Sequence, residues 1–135
     1  MNKMKIEIED YYVMLNLHKA LLEAKFHKNP DNKYVCGSPI IAELHNNIID
    51  VLSKIDEAKD KNNVGKWDNW RLLKNQCFYR QRALENALLI DRWRTMTFEE
   101  KVNISKNLLS PFIATQYEIV EFVNDVEQLL INQDS

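Results

Sequence analysis

Glycine is nearly missing from this chain. Gly37 and Gly65 are the two in 135 residues, against a usual share of about 7%. Hairpin turns, bulges and phosphate-cradling loops consume glycine, so its scarcity argues against a sheet-rich fold. It also excludes the dinucleotide fingerprint G-x-G-x-x-G, the P-loop and the nucleophile elbow G-x-S-x-G, each of which packs several glycines into a few residues. Cysteine is equally sparse. Cys36 and Cys77 match no C-x-x-C or zinc-knuckle spacing, and a domain of this size needs no disulfide, so both are expected as reduced thiols of a cytoplasmic protein.

Long apolar runs are lacking too. The longest are Tyr11 to Leu15 and Ala87 to Ile90, where a membrane span needs about 20 residues and a signal-peptide core about 7 to 15. The expectation is a cytoplasmic chain with no membrane partner. An excess of positive charge is absent as well: 18 Lys and Arg stand against 20 Asp and Glu, a net charge of -2. The whole-molecule field therefore offers nucleic acid no general attraction.

What remains is 45% hydrophobic and 28% charged, the balance of an ordinary globular protein. The length suits one domain over residues 1–135, able to hide roughly two-thirds of its unfolded surface.

Helix punctuation is the clearest pattern. Tyr11, Leu15, His18, Leu22 and Phe26 recur at helical spacing and predict a helix from about Glu9 to His27, stopped by Asn29-Pro30-Asp31-Asn32. Met1 to Ile8 reads as a frayed helix start. Ser38-Pro39 is a restart signal, a capping side chain followed by a residue suited to the first helical position. Beyond it Ile41, Leu44, Ile48, Val51, Ile55 and Ala58 form a heptad stripe that Ile49 and Leu52 widen.

Trp67 to Arg94 is long enough for one helix or for two with a bend. Thr97 and Glu100 read as a capping box opening a short helix that ends near Leu109. Ser110-Pro111 repeats the restart, and Phe112, Gln116, Ile119, Val123, Val126 and Leu130 carry the last helix to about Ile131. The predicted fold is all-α, an up-and-down bundle of four long helices plus one short helix.

One distribution stands out. All five arginines (Arg71, Arg80, Arg82, Arg92, Arg94) and all three tryptophans (Trp67, Trp70, Trp93) fall between Trp67 and Arg94. Lys66 to Arg94 carries a net charge of +4, between an N-terminal part of -1 and a C-terminal part of -5. Were residues 70 to 94 one unbroken helix, Arg71, Lys74, Arg82 and Arg92 would share a side with Phe78, opposite Leu73, Cys77, Leu84 and Ala87.

Trp and Arg are the residues most enriched in binding hot spots. The favoured expectation is therefore a non-enzymatic interaction module that holds a partner protein or its own copy through Trp67, Trp70, Arg71, Lys74, Phe78, Arg82 and Arg92. Nucleic acid is the lesser alternative for the same face. The structural counter-reading pairs these arginines with the acidic final helix, where Glu118, Glu121 and Asp125 share a side, at little net gain for exposed pairs.

Arg80 would lie inside the apolar stripe, and a buried guanidinium needs partners for its donors. An internal pair with Glu23, Glu43 or Asp91 is the simpler account. The functional alternative is a small-molecule or anionic-ligand pocket, enzymatic or not, between helices around Arg80, His18, Glu23 and His45.

His18 on an apolar stripe reads more simply as a hydrogen-bonded core histidine. The three histidines match neither Glu-x-x-His nor His-Glu-x-x-His, so no metal and no cofactor is expected. Cys36, just before the Ser38 cap, invites a cysteine-hydrolase reading with His27 or His45 as base, since a helix N-terminus lowers a thiol's pKa. No oxyanion hole or orienting residue accompanies it. Cys77 is expected in the core.

Overall fold

The structure, a computed structural model, describes residues 6–134 and is all-α. Six α-helices follow in order: α1 Tyr11–Lys25, α2 Pro39–Lys59, α3 Lys66–Arg71, α4 Cys77–Ala87, α5 Phe98–Leu109 and α6 Gln116–Gln133. Short 3-10 turns occupy Lys61–Asn63, Leu73–Asn75 and Trp93–Thr95. The count of four long helices and one short one is approximate, because the stretch from Trp67 to Arg94 divides into α3, a 3-10 turn, α4 and the start of another turn. Of the frayed start expected over Met1 to Ile8, residues 1–5 lie outside the described residues and 6–8 are not helical. Among the described residues, no helix is long and apolar enough to cross a membrane.

Local chemistry sets most helix ends where the sequence places them. Asp10 caps α1, its carboxylate accepting from Val13 N at 3.0 Å. Ser38 caps α2 with Pro39 at the first helical position. Thr97 and Glu100 form the capping box of α5. The final helix departs from expectation. Ser110 ends α5 instead of starting α6, the Ser110-Pro111 peptide is cis, and α6 opens behind a second capping box, Thr115 with Glu118. Phe112 stays buried but in the connecting turn. A helix cannot run through it because Ile113 N donates to Arg71 O at 2.7 Å and Ile113 O accepts from Leu73 N at 3.0 Å.

Two further expectations are corrected. In α2 the buried face is Ala42, His45, Ile48, Ile49 and Leu52; of the heptad stripe Ile48 is buried as expected, while Leu44 and Val51 remain 43% and 42% exposed. The face is turned by about one residue because His45, a polar residue, belongs to the interior together with Ala42. Cys77 is exposed at the first residue of α4, since the helix on which it was placed does not continue through it.

The main core joins α4, α5 and α6, with Trp93, Phe122, Leu108, Leu109, Val123 and Val126 all essentially without exposure, and receives Phe26 from just beyond α1. A smaller core of Met14, Ile48 and Leu52 lies between α1 and α2. Trp70 of α3 packs on the first and Trp67 on the second. So α3 sits where the two cores meet.

Candidate functional site

The turn into α3 depends on Gly65, whose φ of 78° is a left-handed conformation that side chains with a Cβ resist. The helix that follows is short, yet positions 67, 70 and 71 fall on one side of it. Arg71 fastens it. Its Nε donates to Pro111 O at 3.1 Å, and its two terminal nitrogens donate to Asp50 Oδ1 and Asn46 Oδ1 at 2.8 Å each. Trp67 is fixed separately, its Nε1 donating to Asp56 Oδ2 of α2 at 2.7 Å.

Against this helix lies an imidazole pair. His18 of α1 and His45 of α2 meet with Nδ1 and Nε2 2.8 Å apart, both residues buried. Burial is the first cause holding each in its neutral form, lowering His18 to about 4 and His45 to about 3. Positive charge on Lys25 and Arg71 pushes His45 further in the same direction. The His18 ring stands edge-to-face to Trp67 and Trp70, both at 5.3 Å between centroids, and the two indoles meet each other at 5.6 Å and 80°. From Trp70 the contacts continue through Phe112 to Tyr79 and Phe26.

The rings of His18, Trp67, Trp70 and Tyr79 open on a cavity of about 480 Å³. Leu15, His18 and Leu22 of α1, Trp67 and Trp70 of α3, and Tyr79 of α4 supply its walls, while Lys19, Asp56, Asn63 and Lys66 contribute the polar positions. A largely apolar concavity of this size with a few polar groups has the form of a small-molecule site. A larger hollow of about 860 Å³, between the α1–α2 connection and the α4–α5 connection, includes Tyr34, Cys36, Leu89 and Arg92.

The structure thus joins residues from two separate expectations. Trp67 and Trp70 come from the proposed aromatic and arginine surface, His18 and His45 from the proposed pocket. The remaining members are elsewhere. Arg71 is turned inward. Lys74 is exposed, and Phe78 and Arg82 line a third hollow with Glu23 and His27. Arg92 borders the larger hollow. With the helix broken between Arg71 and Cys77, they do not form one face.

Arg80 is paired with α6 and not with Glu23, Glu43 or Asp91: it reaches Asp125 at 2.6 Å and Glu121 at 3.9 Å. Arg82 pairs with Glu85, and Arg94 holds Asp134 through two bonds. Trp93 is sealed at 1% exposure. Four of the five arginines are therefore committed to protein groups.

The thiol of Cys36 is buried and donates to Lys33 O, and burial raises its pKa instead of lowering it. His45 is bonded to His18 and His27 is exposed. No nucleophile and base are brought together there. Among the described residues, no group of three or more His, Cys, Asp or Glu is placed to hold a metal ion.

Two participants escaped the sequence reading. Tyr79 was hidden because the break before α4 resets the helical register. Lys25 is wholly buried, donating to Asn107 O at 2.7 Å and Ser110 O at 2.5 Å at the end of α5. Its spacing of seven from His18 puts it on the apolar stripe, a position where lysine, normally solvated, is not expected. Comparison with protein-family models, curated proteins and solved structures gives no match.

Proposed function

We propose that this chain is a non-enzymatic binding module whose ligand is a small aromatic molecule seated between Trp67, Trp70 and Tyr79. The observation that carries the reading is an open cavity of about 480 Å³ walled by two indoles over a buried imidazole. Such rings supply large apolar contact area with few rotatable bonds, so little conformational freedom is lost on binding.

The reading is tested by saturation-transfer NMR with a panel of one- and two-ring fragments, on wild type and Trp67→Ala. Several fragments bind the wild type, and the variant loses at least tenfold in affinity. A wild type that binds none of them overturns the reading.

A second reading, contact with a partner protein or a second copy, is favoured by Phe78. Its ring is 61% exposed and carries the Arg82 guanidinium 5.1 Å above it. Sedimentation and capture experiments with Phe78→Ser address it. No change in self-association or in captured partners removes it.

A further inference from the structure

We propose that the cleft takes a planar aromatic carboxylate, its ring against Trp67 and Trp70 and its acid group on the Nε2–H of His18. The inference rests on the cleft being a ligand site. It follows from counting protons. Two neutral imidazoles joined Nδ1 to Nε2 carry two ring protons, and one of them lies in the bond between them.

If His18 Nδ1 holds that proton, His45 carries its own on Nδ1 and His18 Nε2 is bare. If His45 Nε2 holds it, the His18 proton sits on Nε2 and His45 Nδ1 is bare. His45 Nδ1 is buried with no hydrogen-bond partner among the described residues. The first arrangement therefore buries an orphaned N–H and the second an orphaned lone pair. Orphaned buried N–H groups are the rarer of the two. The second arrangement prevails, and His18 presents a donor to the cleft it lines.

A donor among aromatic walls selects a ligand with an acceptor. The rim selects its charge. Lys19 and Lys66 line the cleft with exposed side chains, Lys66 also donating to Asn63 Oδ1 at 3.1 Å, and the carboxylate of Asp56 accepts from the Trp67 indole. An anionic acceptor is favoured over a neutral carbonyl, and the edge-to-face indoles suit a flat ring.

Long-range proton–nitrogen correlation spectra of the wild type at pH 7 read the tautomers directly. Both His18 and His45 are expected to be protonated at Nε2, and protonation of the pair at Nδ1 overturns the proposal. The same labelled protein is titrated with indole-2-carboxylate and with indole, following the N–H signals of Trp67 and Trp70. The acid binds at least tenfold more tightly. Equal affinity overturns the carboxylate assignment and leaves the ligand cleft standing, whereas binding of neither compound removes both.

Discussion

Three buried bases give this small protein an unusual dependence on pH. His18 and His45 ionise near 4 and 3 in the fold, below the value of about 6.5 for an exposed imidazole. Between those limits the unfolded chain binds more protons than the native one, so stability falls as pH drops from 6.5 toward 3. Lys25 works at the other end. Burial lowers it to about 7, against about 10.4 for a free amine, so the unfolded state again binds more protons from pH 7 upward and stability rises through that range. Over both intervals the slope has the same sign, so the contribution of these bases is lost as the pH falls. Urea unfolding at pH 7 and pH 9.5 should show the wild type gaining stability at the higher pH and Lys25→Met gaining little. An equal alkaline gain in the variant would locate the effect elsewhere. Lys25 escapes a composition-based reading because charged side chains are rarely fully buried. What admits it is the pair of unbonded carbonyls at the end of α5, which attract a cation.

At the scale of single elements, boundaries were legible wherever one side chain makes the boundary. The caps of α2 and α5 are of this kind. The start of α6 was missed because two signals compete within six residues: Ser110-Pro111 and Thr115-x-x-Glu118 both announce a helix. A contact distant in sequence, between Ile113 and the chain at Arg71 and Leu73, decides for the second. Thr115→Ala should therefore cost about 1 kcal/mol of unfolding free energy, while Ser110→Ala, which removes no helix cap, should leave the α6 start unchanged. Amide exchange over the first turn of α6 distinguishes them, and faster exchange in the Ser110 variant alone would contradict this assignment. Gly65 is a parallel case. Beyond its own chain neighbours, no atom lies within 4 Å of the Cβ an alanine would add there, so the cost of Gly65→Ala is conformational, about 1–2 kcal/mol, and a thermal midpoint equal to wild type would count against it.

Across the whole molecule the helical class was open to the sequence and the assembly of the site was not. Periodicity reports which face of a helix is apolar, but it carries no information on where a broken helix points its next segment. Trp67, Trp70 and Arg71 look like surface residues only if α3 continues into α4. Once the chain turns at Leu72, the same residues become the joint between the two cores. Arg71 does the joining, since its three bonds reach α2 at Asn46 and Asp50 and the α5–α6 connection at Pro111. Charge alone would not serve. A lysine keeps the charge but not the planar fork that reaches three separate acceptors. Arg71→Lys is thus expected to lose about 1–3 kcal/mol, chiefly from the buried Pro111 carbonyl left without its donor. Because Trp67 and Trp70 ride on the same short helix, the variant's tryptophan emission should shift to the red under native conditions, before any global unfolding. Asp50→Asn, whose carboxylate is half-exposed, retains an oxygen acceptor and should cost well under 1 kcal/mol with unchanged emission. A lysine variant as stable as wild type, with its indoles undisturbed, would show that α3 is held by its aromatic contacts alone and that Arg71 is incidental to the site.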